Sequence, residues 1–492
     1  MSLHLSKSRY CSAVQCPKML WLKKHYPEQF DDSVMNQAVL DTGLEVGDLA
    51  MGLFGDFSEV PYGDLNEMIK ETQRLLQAGT KNIAEASFSY NGLFCSVDLL
   101  KNNGNNRVEI YEVKSSTQIQ DIYYHDAAYQ NYVLTKLGFI VEVVGIVRID
   151  NTYVRIGDLE LDSLFKINVV TEEARSYFSD VEKRIKELEE YMKQTEEPEQ
   201  RIGPHCFAPY SCGFFAFCTR DLPTPNLFHV AGMQKRTMFS HYERGCISFL
   251  ELEQQPKLNP SNLLQIRHEL HDLPDYVEKD SIAAFLEQVT YPLYFLDFES
   301  FQPAIPLYDD SKPYEQIVFQ YSLHYIETKD GQLMHKAYLA YPGADPRREL
   351  AKQLCKDIPI NVCTVAYNMS FEKTRIKRLA ELFPDLADHL MNIHDHIIDL
   401  MIPFRQKSYY TKAMQGSYSI KYVLPALYPN DPELDYSQLE EIQNGADASA
   451  IFPKMASMSM EELEKYRGHL LKYCELDTYA MVKIWKKLCE VV

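Results

Sequence analysis

The stretch Gly92-Leu-Phe-Cys-Ser-Val-Asp98-Leu-Leu, followed by Val108-Glu-Ile-Tyr-Glu112-Val-Lys114-Ser-Ser, decides how the first half of the chain reads. Both runs are rich in β-branched and aromatic residues, which predicts two strands. Residues two apart in a strand project to one face, so Glu112 and Lys114 stand together, and Asp98 meets them across the ladder. Two carboxylates can hold a divalent cation that polarises a phosphate and acidifies water, and a neighbouring lysine can position that water and offset developing charge. A salt-bridged strand face uses the same residues, so the surroundings have to decide.

Working outward, a strand precedes this pair at about 83–90. A helix follows at about 118–136 and stops before Gly138. Another strand at 139–149 and a charged helix at 171–194 complete an α/β pattern. Pro223 and Pro225 open a region of short helices. A second α/β pattern then starts at the apolar run Tyr291-Pro-Leu-Tyr-Phe-Leu296 and closes on a helix with the capping box Ser459-Met-Glu-Glu462. The expected division is 1–220, a helical linker region at 221–285, and 286–492. No repeat or low-complexity tract interrupts it.

The chain has 492 residues, 46% hydrophobic and 24% charged, the balance of a globular protein of two or three domains. No apolar run reaches membrane-spanning length and the first residues lack a signal-peptide core, so a cytoplasmic protein with no membrane partner is expected. The net charge of −20 excludes a protein that coats nucleic acid through a broad basic surface. It leaves room for a metal-dependent nuclease, which needs carboxylates. Lys7, Arg9, Lys18, Lys23 and Lys24 form a local basic patch.

In a reducing compartment, clustered cysteines read as metal ligands. Cys206, Cys212 and Cys218 fall within thirteen residues, in Cys-Phe-Ala-Pro-Tyr-Ser-Cys-Gly-Phe-Phe-Ala-Phe-Cys. Thiolates among aromatics suit an iron–sulfur cluster; structural zinc is the alternative, though its usual tight Cys-x2-4-Cys knuckles are missing. Cys11 and Cys16 are the rivals for fourth ligand. Cys95, Cys246, Cys355, Cys363, Cys474 and Cys489 read as ordinary buried cysteines.

The N-terminal Cys-Pro-Lys, the Asp98…Glu112-x-Lys114 core and the distal cysteine triplet together resemble the RecB branch of the PD-(D/E)XK nucleases, including the CRISPR-associated exonucleases and the AddB nuclease domain. The resemblance implies a 4Fe-4S cluster on Cys16, Cys206, Cys212 and Cys218, a catalytic glutamine at Gln130 on the following helix, and magnesium or manganese held by Asp98 and Glu112. Tyr132 is a weaker match, and Glu45, in Thr-Gly-Leu-Glu-Val-Gly, is a further candidate acid ligand.

In the second half, the apolar strand ends in Asp297-Phe-Glu299, whose acids share a face and call for compensation by metal. Tyr367-Asn368-Met-Ser-Phe371-Glu372 follows, then Tyr473-Cys-Glu-Leu-Asp477, with Tyr473 and Asp477 four apart on one helix face. This order is similar to the tyrosine-bearing DEDD exonucleases of the ribonuclease H-like fold, with Glu372 where most members carry Asp. The resemblance implies magnesium or manganese on Asp297, Glu299, Glu372 and Asp477, and Tyr473 orienting the attacking water. Asp399 reads as structural. The expected fold is therefore multidomain α/β. The expected function is a nuclease acting on DNA, single-stranded or end-bearing. Its rivals are a nucleic-acid-binding scaffold with one active site, and an RNA 3′–5′ exonuclease.

Overall fold

The structure, a computed structural model, describes residues 4–35 and 37–492. It is mixed α/β and divides into two compact units. The first comprises residues 1–221 and 303–315, and the second 222–302 and 316–492. The short helices after Leu222, expected as a separate linker, are part of the second unit. Pro303–Glu315, expected in the second half, belongs to the first. No helix among the described residues is long and apolar enough to cross a membrane.

In the first unit the described residues form a seven-stranded sheet. Its strands are β1 (Leu5–Ser6), β2 (Ser58–Glu59), β3 (Asn82–Tyr90), β4 (Leu93–Asn102), β5 (Arg107–Lys114), β6 (Ile140–Ile149) and β7 (Phe165–Val169). The order is β2-β3-β4-β5-β6-β7, with β1 paired in parallel to β4. Asn91 and Gly92 both take positive φ in the β3–β4 hairpin, the backbone that an Asn-Gly turn supplies at least cost. Helix Asp121–Lys136 crosses over between the parallel strands β5 and β6. It ends where Gly138, at φ 90°, reverses the chain and Phe139 N–H returns to the Leu134 carbonyl. The charged helix expected over 171–194 is broken into Thr171–Ser176 and Phe178–Tyr191.

One sheet face packs Cys95, Val97, Leu100 and Ile110 against Ala127, Tyr129 and Val133 of that crossover helix. The other face packs Leu99, Tyr111 and Val147 against Val46 and Ala50 of helix Gln37–Met51 and against Ala304. Segment 303–315 is tied down by a backbone exchange: Arg155 N–H donates to the Ser311 carbonyl at 3.0 Å, and Asp310 N–H to the Arg155 carbonyl at 2.9 Å.

The second unit holds the strands β8 (Tyr276–Val277), β9 (Leu293–Phe301), β10 (Ile317–Ile326), β11 (Met334–Leu339), β12 (Cys363–Ala366), β13 (Ile397–Asp399) and β14 (Tyr409–Tyr410). Five make a mixed sheet in the order β11-β10-β9-β12-β13, antiparallel from β11 to β9 and parallel from β9 to β13; β8 and β14 pair separately. One core lies under Leu350, Leu354, Ile376 and Leu379, against Tyr294, Leu296, Tyr321 and Leu323. The long helix Met460–Val491 covers the opposite face, and this face of β10 carries Gln320, Ser322 and His324. All three are buried, and Gln320 Nε2 donates to the Leu470 carbonyl at 2.8 Å.

Candidate functional site

The β3–β4 ladder is interrupted at one place. Ala84 pairs with Leu99 and Ala86 with Val97, while Glu85, in the left-handed region at φ 56°, and Asp98 pair with neither. Past this break β4 changes phase: Val97 and Leu100, three apart, both face the crossover helix. The β4–β5 ladder also ends at Leu99 and Tyr111. Where it stops, Asp98 Oδ2 accepts from Val113 N–H at 2.7 Å. Backbone irregularity, not strand alternation, sets Asp98 in position.

Glu112 is 4% exposed and stands at the centre of a charged network. Lys114 Nζ reaches Glu112 Oε1 at 2.6 Å and Asp126 Oδ2 at 2.7 Å. Gln130 Nε2 donates to Glu112 Oε2 at 2.6 Å and to Asp126 Oδ1 at 3.0 Å. Lys7 Nζ, from helix Lys7–Gln15, lies 2.9 and 2.8 Å from the two Glu112 oxygens and 3.5 Å from Asp98 Oδ1. Burial opposes the Glu112 charge, but Lys114 and Lys7 outweigh it and hold this carboxyl well below its usual range. Burial and the Glu112 charge push Asp98 up to about 6. Burial and then Asp98 push Glu85 up to about 7. The ammonium of Lys7 spans the two carboxylates.

Asp98, Glu112, Lys114 and Gln130 thus come together as the sequence analysis grouped them. Glu45 does not join them: it is exposed on helix Gln37–Met51, and among the described residues no hydrogen bond or ion pair links it to Asp98 or Glu112. Tyr132 faces away and packs on the ring of Phe178, 4.9 Å between centroids. Lys7, expected as part of a local basic patch, is instead paired with Glu112 and Asp98, and Glu85 and Asp126 were not anticipated. Asp126 had a signal, since it stands four residues before Gln130 on one helix face. Neither Lys7's place here nor Glu85's had one, because the pairing of β1 with β4 brings the first and a left-handed backbone the second.

Cys16, Cys206, Cys212 and Cys218 line one pocket, walled by Met19, Leu22 and Phe214. Cys16 caps helix Pro17–His25, whose first residue is proline, as suits a position with no amide partner. Backbone amides of Lys18 and Met19 donate to its sulfur. Amides of Gly203 and Phe214 do the same for Cys206 and Cys212. Gly213 lets the loop approach: a Cβ there would lie 2.7 Å from the Phe30 ring and 2.9 Å from the Asp31 carbonyl oxygen. Burial pushes all four thiols up, Cys218 to about 11. Cys11 does not line this pocket. Among the described residues no three of these sulfurs lie within 4.8 Å of one another.

In the second unit Asp297 and Glu299 lie on β9, Glu372 in the first turn of helix Ser370–Leu382, and Tyr473 and Asp477 on helix Met460–Val491. Burial, followed by the charges of Asp477, Glu299 and Glu372, pushes Asp297 well above the carboxylate range, and Glu299 follows for the same reasons. Burial raises Asp477 to about 6, against hydrogen bonds from Tyr436 and Tyr473; the Tyr436 hydroxyl donates at 2.6 Å. Glu372 is 2% exposed, its Oε2 has no hydrogen-bond partner, and burial raises it to about 8. Among the described residues none of these four acids forms an ion pair. Asp399 instead accepts from the amides of Asn368 and Met401 at 3.0 and 3.1 Å, the structural part expected of it.

Two residues here were missed: Tyr436, and Cys474, whose sulfur lies 3.8 Å from Asp297 Oδ2 and groups with Asp297 and Glu299. Cys474 is buried as expected, but in the acid pocket; Cys489, also expected buried, is exposed. A groove lined by Lys421, Asn444, Tyr436, Tyr473 and Asp477 opens beside the acids.

Residues 294–419 match a family described as a domain of unknown function, DUF2779. That span includes Asp297, Glu299 and Glu372. The chain is 26% identical over 225 residues to "Uncharacterized protein UU173" of Ureaplasma parvum serovar 3, covering 42% of this chain and 32% of that protein. It is 27% identical over 206 residues to "Uncharacterized protein MG366" of Mycoplasma genitalium, covering 39% and 31%. The aligned part thus spans about a third of each relative's length. No solved structure matches.

Proposed function

We propose that the chain is a metal-dependent nuclease with a hydrolytic site in each unit, acting on nucleic acid with free ends and on DNA foremost. The observation that carries this is that Asp297, Glu299, Glu372 and Asp477, all buried or half-buried, are close enough for their charges to oppose one another, while none of the four forms an ion pair among the described residues. Crowded oxygen donors are the donor set of magnesium or manganese, and two such ions, when bound, supply charge for both the attacking and the leaving oxygen of a phosphodiester. Asp297, Glu299 and Asp477 would hold them, with Glu372 completing the set. Tyr436 fixes Asp477, and Tyr473 is placed to orient the attacking water. The strand order β11-β10-β9-β12-β13 supports the ribonuclease H-like part of this reading.

For the first unit, Asp98 and Glu112 supply the acids, Lys114 the charge beside the phosphate, and Gln130 the hold on Glu112. This arrangement supports the RecB-like reading. The four-cysteine pocket fits an iron–sulfur cluster, 4Fe-4S by the resemblance, in its all-thiol donor set, its apolar wall and the amides aimed at sulfur. Reduced thiols of this kind favour a cytoplasmic setting. One observation favours the scaffold alternative for this unit: Lys7 already satisfies Glu112 and reaches Asp98, so a cation has to displace it.

The test is the purified protein with 5′-labelled single- and double-stranded DNA and RNA, in EDTA, magnesium or manganese. Asp297→Asn and Asp98→Asn change charge with little change in shape. Cutting that depends on metal, with a 3′-end-dependent component lost in Asp297→Asn, is expected. Cutting indifferent to both substitutions, or none on any substrate, sinks the reading.

A further inference from the structure

A second group of metal-ligating side chains lies outside both acid sites. His324 on β10 and His335 on β11 are directly paired across the ladder, with ring centroids 4.6 Å apart. Glu475, on helix Met460–Val491, brings its Oε1 to 3.8 Å from His335 Nδ1. One donor atom from each of the three lies within 4.8 Å of the others. Ligands bonded tetrahedrally to zinc at about 2.0–2.1 Å stand roughly 3.4 Å apart, so a small contraction closes this set.

The surrounding hydroxyls fix which imidazole nitrogens are free. Thr478 Oγ1 gives its one proton to the Glu475 carbonyl at 3.1 Å, so it accepts from Ser322 Oγ at 2.8 Å and from His324 Nδ1 at 2.7 Å. Ser322, having spent its proton on Thr478, accepts from His335 Nε2 at 2.9 Å. The protons of both rings are thereby assigned to Nδ1 of His324 and Nε2 of His335. The lone pairs are left on His324 Nε2 and on His335 Nδ1, the atom that faces Glu475. Outer hydroxyls holding each ring by its N–H are what a metal-ligating histidine requires. Such a network has no need of the glutamate.

We propose that His324, His335 and Glu475 bind one divalent ion of the zinc class, with solvent completing its coordination. Two imidazoles and one carboxylate select zinc, cobalt or nickel over magnesium, which prefers oxygen alone. His335 and Glu475 are partly exposed, so an ion has a way in. Once bound it ties the β10–β11 hairpin, at the sheet's edge, to the helix that carries Tyr473 and Asp477. This site stands whether or not the acid pockets cut nucleic acid.

The experiment uses the full chain, purified with its cysteine pocket in whatever state it holds, stripped with EDTA and equilibrated with buffered zinc. Bound zinc is counted by elemental analysis for the parent, His335→Ala and Thr478→Val, with circular dichroism to check folding. His335 lies on an edge strand away from the cores, so its loss leaves the fold intact. The parent should hold one more zinc per chain than His335→Ala. Thr478→Val should keep the site with affinity weaker by about 10- to 100-fold, the usual cost of an outer partner. Cobalt bands in the parent-minus-His335→Ala difference spectrum should lie in the visible without intense thiolate absorption, since any cobalt in the cysteine pocket is common to both proteins and cancels. Equal zinc content and equal cobalt spectra in parent and His335→Ala overturn the proposal.

Discussion

Glu372 shows how a single side chain can report on the second site. Its carboxyl rises from about 4.5 in the unfolded chain to about 8 because burial disfavours the charge. A raised folded value means stability that is complete below pH 4.5 and is lost as pH climbs through 8. Glu372→Gln has no such loss. In EDTA the variant should match the parent near pH 4 and exceed it above pH 8 by up to about 5 kcal/mol, read from urea unfolding at the two pH values. Magnesium should shrink or reverse the gap, because the ion rewards the carboxylate. A gap unaffected by pH would mean that Glu372 is not a strained acid. Lys114 makes the contrasting case. It is expected to act on water and phosphate, but it also bridges Glu112 and Asp126, both buried. Lys114→Ala should therefore cost roughly 3 kcal/mol, as when one partner of a buried ion pair is removed; a melting temperature equal to the parent's would contradict this. Its loss of activity has to be read beside the stability change, which makes Asp98→Asn the cleaner probe.

At the scale of elements, the strands and helices that carry the acids were legible, and the irregularities that aim them were not. Alternation over 92–100 and 107–114 marks β4 and β5. The apolar run at 291–296 marks β9, and Ser459 to Glu462 marks the start of the last helix. The break at Glu85 and Asp98 left no trace in composition, since a left-handed glutamate has no signature. Nor did periodicity reveal that Lys7, more than ninety residues before Asp98, returns to it. His324 and His335 are eleven apart, a spacing that means nothing until β10 and β11 pair. The last helix offers a test at this scale. Its capping box joins Ser459 Oγ to Glu462 N–H at 3.3 Å and Glu462 Oε2 to Ser459 N–H at 3.1 Å. Ser459→Ala should lower stability by about 1 kcal/mol in thermal unfolding. It should leave any Asp297-dependent cutting at the parent's rate, because Tyr473 and Asp477 sit more than three turns downstream. A collapse of that activity would show the helix to be held by its cap instead of by packing on β9 and β10.

Across the whole molecule, the division of the chain near residue 221 was visible as proline punctuation, whereas the return of segment 303–315 to the first unit depends on tertiary packing alone. The largest consequence at this scale comes from the cysteines. Cys16 lies near the start of the first unit, and Cys206, Cys212 and Cys218 lie at its end. A cluster that joins them closes a loop of about 190 residues, which by chain entropy alone is worth about 5 kcal/mol against the unfolded state. That exceeds what most single side chains contribute, and it acts on one unit only. Protein purified without oxygen should be brown and contain iron and sulfide. Cys212→Ser should lose that colour, since a serine oxygen is a poor ligand for iron in a thiolate set. Limited proteolysis should then cut within residues 1–221 and 303–315 far faster than in the parent and leave resistant pieces from 222–302 and 316–492, identified by mass. Zinc in place of iron in oxygen-free protein would reassign the pocket. An iron-bearing parent whose Cys212→Ser variant resists protease equally well would show that the cluster is present but does not hold the first unit together.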